Sequence, residues 1–69
     1  MTFAHRIKAA RLTKGWWHKD CAKALGCCVS TISGWESGRN MPSVNFIRKI
    51  AEVYGIPLDE LIVLIMEGK

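Results

Sequence analysis

At 69 residues the chain has room for one domain with a modest core, and 49% hydrophobic with 23% charged residues excludes a disordered or low-complexity segment. The net charge of +4 is uneven: residues 1–40 carry seven Lys and Arg against two Asp and Glu, a balance of +5, while residues 41–69 carry three against four, a balance of −1. A basic half suits a polyanionic partner, nucleic acid first. The longest apolar run, Leu61 to Met66, is far short of a membrane-spanning helix, and an odd count of three cysteines argues against a paired disulfide framework. With no signal-peptide pattern in "MTFAHRIKAARL", the expectation is a cytoplasmic protein with reduced thiols.

Five short helices are predicted in chain order. Thr2 caps the first, with Phe3, Ile7 and Ala10 at helical spacing and Lys14 and Gly15 closing it. The second spans about His18 to Leu25, with Cys21, Ala22 and Leu25 on its inner face and Gly26 as its stop. The third spans about Val29 to Glu36, with Ile32 and Trp35 inward and Gly38 following. Ser43 caps the fourth, which offers Val44, Phe46, Ile47, Ile50, Ala51 and Tyr54 for burial before Gly55. Pro57 stands at the entrance to the fifth, from Leu58 to about Met66, whose first turn carries Asp59 and Glu60. No segment alternates long enough to predict a strand, so the fold class is all-α and residues 1–69 form a single domain.

Helices two and three are each about two turns long and are joined by the tight "LGCC" turn. That is the arrangement of a helix-turn-helix, in which the first helix crosses a phosphate backbone and the second enters the major groove. The segment "KGWWHKDCAKALGCCVSTISGWESGRNMPS" resembles the phage repressor and Cro (XRE) type of helix-turn-helix domain. It matches at Gly15, Ala22, Leu25, Gly26, Ile32, Ser33, Trp35, Glu36, Gly38, Pro42 and Ser43. The later "IAEVYGIPLDELI" is similar to the family's fourth and fifth helices, so the resemblance covers about residues 5–65. It implies a lambda-repressor-like fold of five short helices and sequence-specific binding of double-stranded DNA.

The resemblance implies roles residue by residue. Base-reading positions fall on Val29, Ser30 and Gly34, with Ser33 beside them. Val29 can pack on a thymine methyl and Ser30 discriminates weakly. Gly34 has no side chain and costs about 1 kcal/mol relative to alanine within a helix. With no Arg, Gln or Asn on this helix, specificity is expected to lean on apolar contact, water and DNA shape. Phosphate contacts fall on His18 and Lys19 at the start of helix two, on Arg39 and Asn40 after helix three, and on Trp17. Arg11 and Glu36 occupy the positions of a family ion pair that ties helix one to helix three. Departures from the family pattern are Trp16 at a buried leucine, Trp17 at the cap of helix two, His18 at a glutamine, and Cys28 at the cap of helix three. Neither Trp17 nor Cys28 accepts a hydrogen bond well, so both motif helices are expected to be poorly capped.

Other chemistries fit less well. His18, Cys21, Cys27 and Cys28 can be drawn as a zinc quartet, but adjacent cysteines make a poor bite, and Cys21 and Cys27 fall on core positions of the family. Cys28 at a helix start is the thiol available for redox sensing. Ser30, Ser33 and Ser37 with His5 or His18 lack an orienting aspartate and a nucleophile elbow. No enzyme activity, metal or cofactor is expected. The expected function is that of a transcriptional repressor of phage or mobile-element type, binding a palindromic operator as a homodimer. Asn40, Met41, Ile65 and Met66 are the candidate dimer contacts. The alternatives are an antitoxin-like module whose apolar C-terminus binds a protein partner, and a small redox- or metal-responsive regulator.

Overall fold

Local capping and stop signals set the helix limits. The computed structural model describes residues 1–67, with α1 at Phe3–Thr13, α2 at His18–Leu25, α3 at Val29–Glu36, α4 at Val44–Tyr54 and α5 at Leu58–Glu67. Thr2 Oγ1 accepts from His5 N at 3.2 Å and Ser43 Oγ from Phe46 N at 3.5 Å, so α1 and α4 begin at side-chain caps. α2 begins differently. The Trp17 side chain makes no capping bond, but Asp20, three residues on, accepts from Trp17 N at 2.8 Å. This reciprocal half of a capping box corrects the expectation that α2 is poorly capped. At α3 the expectation agrees with the structure, since Cys28 makes no side-chain capping bond.

α1 lies against α3, α4 and α5, while α2 packs on α3 and α4, and α4 on α5. Ile7, Leu25, Ile32, Ile50, Leu61 and Cys21 are sealed from solvent, one or more from every helix. Each large apolar side chain buried this way stabilises the fold by roughly 1.5–3 kcal/mol. Phe3, Ala10, Ala22, Trp35, Ala51, Tyr54 and Ile56 complete the core, with Trp16, Cys27, Phe46 and Ile47 packed at its edge. Trp35 meets Phe46 with ring centroids 5.4 Å apart, a tilted contact that joins α3 to α4.

Two ionisable groups sit within this core. Burial pushes the Cys21 thiol up from its ordinary 9.0. Burial, with the Cys21 thiol nearby, pushes the Tyr54 phenol well above its ordinary 10.0. Both groups are neutral in the folded chain and ionise more readily once it unfolds. Their contribution is therefore intact below pH 9 and is lost as pH climbs through 9 and 10 toward the folded values. Urea denaturation across pH 7–10.5 is expected to show this alkaline loss, and Cys21→Ala combined with Tyr54→Phe is expected to flatten it. An equally steep fall in the double variant would assign the loss elsewhere.

Candidate nucleic-acid interface

The turn between α2 and α3 holds the site together. Gly26 closes α2 with a φ of 72°, a left-handed conformation that side chains disfavour. Its N–H and that of Cys27 both donate to Ala22 O, at 2.8 and 3.0 Å. Lys49, reaching from α4, donates through Nζ to Leu25 O at 3.2 Å and places a cation at the C-terminal end of α2. The sequence reading missed this lysine, because the two residues are 24 positions apart. The turn sends Cys27 toward the core at half burial and leaves Cys28 exposed. Cys21 is sealed in the core, and among the described residues no three His, Cys, Asp or Glu side chains are grouped to hold a metal ion.

α3 is anchored from below and open above. Ile32 and Trp35 face inward at 0% and 3% exposure. Val29 is exposed, as is Ser30, while Ser33 is half-buried. Gly34 is a position that the resemblance places among the base readers. It is buried, and a methyl group there would lie 2.6 Å from Asn40 Nδ2 and 3.4 Å from Arg39 Nη2. The chain after α3 turns back over this position, which no local pattern in the sequence reveals.

The C-terminal end of α3 is bound to α1. Arg11 Nε donates to Glu36 Oε2 at 2.7 Å and Nη2 to Oε1 at 3.0 Å, while Nη1 donates to Trp16 O at 2.9 Å. Both side chains are nearly buried, at 9% and 5% exposure. The Glu36 carboxylate beside it raises the Arg11 guanidinium pKa further. His18 Nε2 lies 3.2 Å from Glu36 Oε1, so the first residue of α2 is joined to the last of α3. That contact also escaped the sequence reading; its signal was a histidine in place of an amide at the start of α2.

The flanks of α3 carry the polar and cationic groups. Trp17 is 72% exposed, standing off the core that Trp16 joins. Lys14 Nζ lies 5.0 Å from the Trp16 ring centroid, a cation–π contact. Lys19 is exposed at the start of α2, and Arg39 and Asn40 are exposed beyond α3. Asp20 takes the Trp17 N–H, leaving the N–H groups of the next residues as the positive end of the α2 dipole. The geometry is two short helices joined by a tight turn, the second exposed at its start, with exposed cationic side chains at the start of the first and in the loop beyond the second.

A helix-turn-helix family model matches residues 7–61. The chain belongs to the helix-turn-helix family. Its similarity extends to the transcriptional repressor RstR of the cryptic phage CTXphi from Vibrio cholerae, with 27% identity over 60 residues, covering 87% of this chain and 54% of that protein. It extends also to the HTH-type transcriptional regulator AnsR of Bacillus subtilis (strain 168), with 33% identity over 57 residues, covering 83% of this chain and 49% of that regulator. This helix-turn-helix chain spans about half the length of the curated relatives it matches. Among the described residues, no helix of the domain is long and apolar enough to cross a membrane.

Proposed function

We propose that this helix-turn-helix chain binds double-stranded DNA in a sequence-dependent way and regulates transcription, as a repressor that occupies a palindromic operator as a homodimer. The observation that carries the reading is that Val29 and Ser30 at the start of α3 are exposed, while Lys19 at the start of α2 and Arg39 beyond α3 are exposed cations on the adjoining segments. A helix start of this kind fits the major groove, with the flanking groups on phosphates. Val29 and Ser30 are the side chains for base contact, with Ser33 at their margin. Lys19, Arg39 and Trp17 serve the backbone, and His18, whose Nε2 lies on Glu36, would donate to a phosphate through Nδ1 as the imidazolium.

The homodimer is supported by a groove of about 620 Å³ between the start of α1, the loop after α3 and the end of α5. Phe3, Ala4, Met41, Leu64 and Ile65 line it, so two of the candidate dimer residues share one apolar surface. Met66 is exposed farther along α5. The reading requires a two-fold pairing that sets two α3 helices toward successive turns of one DNA face, and this surface is the candidate for it.

Selection of duplexes from a randomised pool, followed by binding across a salt series, tests the reading. Selected sites are expected to contain inverted half-sites about one helical turn apart, and affinity is expected to fall linearly in log–log form as salt rises. Lys19→Ala and Arg39→Ala are expected to weaken binding to all sequences alike, each lowering the salt slope by about 1, whereas substitutions at Val29 or Ser30 change the selected sequence. No binding to any duplex at low salt would sink DNA recognition. Selected sites with a single half-site would sink the symmetric dimer, and co-purification with a stable unrelated protein in its place would favour the protein-binding alternative.

A further inference from the structure

α3 lacks a side chain at position 34, one turn beyond Ser30 on the same edge of the helix. The space that side chain would occupy is filled from elsewhere. Gly34 O accepts from Arg39 N at 3.0 Å, from Asn40 N at 3.1 Å and from Ser37 Oγ at 3.1 Å. Ser37 Oγ in turn accepts from Arg39 N at 3.4 Å. These bonds fold residues 37–40 back along α3 and set the Asn40 carboxamide directly over Gly34. A methyl group at position 34 would come within 2.6 Å of Asn40 Nδ2 and 3.5 Å of its Cγ, so the Asn40 side chain would have to swing aside to admit it. The Asn40 side chain itself is exposed.

We propose that Asn40 is a base-reading residue of this domain, its carboxamide taking the place of the side chain that α3 lacks at position 34 and recognising an adenine. The inference rests on the DNA-binding reading above, and it reassigns Asn40 from the phosphate backbone and the candidate dimer contact to a base edge. A carboxamide carries both a donor and an acceptor, which match the N7 acceptor and N6 donor of adenine in the major groove; a lone serine or valine matches neither pair. The loop is held to Gly34 O by two backbone N–H groups, so the Asn40 backbone is set before DNA arrives and only the side-chain torsions remain to be fixed on binding. Arg39 Nη2, 3.4 Å from the same methyl position, puts a cation beside it for the adjoining phosphate.

Duplex selection with the full chain, with Asn40→Ala and with Gly34→Ala tests this. The wild-type chain is expected to select an adenine at one position of each half-site. Asn40→Ala is expected to lose that preference by about five- to a hundredfold, with the other positions and the salt slope unchanged, since no charge is removed. Gly34→Ala, verified as folded by circular dichroism, is expected to lose preference at the same base pair by displacing Asn40, and combining the two changes adds little further. Should Gly34→Ala fail to fold, Asn40→Ala decides alone. Uniform weakening on all sequences by Asn40→Ala, or a folded Gly34→Ala that keeps the adenine preference, overturns the inference while leaving DNA binding in place. Failure of the wild-type chain to bind any duplex overturns both.

Discussion

Replacing Glu36 with alanine is expected to lower the stability of the domain by about 3–5 kcal/mol. The carboxylate is 5% exposed and accepts two bonds from Arg11, itself 9% exposed, so its removal strands a guanidinium that water barely reaches. A folded chain of 69 residues commonly holds only about 3–10 kcal/mol in reserve, so this loss is a large share of the total. Arg11→Ala removes the other half of the pair and also frees Trp16 O, yet the stranded Glu36 retains His18 at 3.2 Å. Its effect is therefore expected to be the smaller of the two, and the double variant is expected to be less destabilised than the two single effects added together. Urea denaturation of all three measures this. Strict additivity would show that the pair does not act as a unit.

Trp35→Ala is expected to cost about 3–5 kcal/mol through a different route, the cavity left beneath α3. The indole is 3% exposed and its ring meets Phe46 with centroids 5.4 Å apart, an apolar link from α3 to α4. Trp35→Phe keeps most of that volume and is expected to cost less than half as much. Near-UV circular dichroism and denaturant melts separate the outcomes. A well-folded Trp35→Ala with a melt like wild type would mean that α3 is held by its ion pair alone. Glu36 and Trp35 are adjacent, so one short helix is fastened by two unlike contacts at its end while Val29 and Ser30 at its start stay exposed.

The helix limits were legible because each rests on near neighbours. Thr2, Ser43, Gly26 and Gly55 act within one turn of their own helix, and apolar spacing assigned Ile7, Leu25, Ile32 and Ile50 to the interior. Asp20 was legible in principle, standing three residues after the cap of α2, but Trp17 drew the reading toward a missing acceptor. Pairings across the chain were a different matter. Arg6 binds Glu60 at 2.6 Å over 54 positions, and Lys49 binds Leu25 O over 24; nothing local to either partner marks the other. Within Leu61 to Met66, where six apolar residues run together, only packing against α1 and α4 selects Leu61 for full burial and leaves Ile62, Val63 and Met66 exposed.

Sequence alone, through local capping, helical periodicity and charge bias, determined five helices, a short helix-turn-helix and a basic N-terminal half. The tertiary structure decided the character of the α3 edge. From the sequence, Gly34 was a blank in a row of weak base readers; in the fold it is the floor on which the returning loop sets Asn40 and Arg39. The reason is physical: the order of side chains along a helix is written locally, but the groups that share its surface depend on where the chain goes after the helix ends.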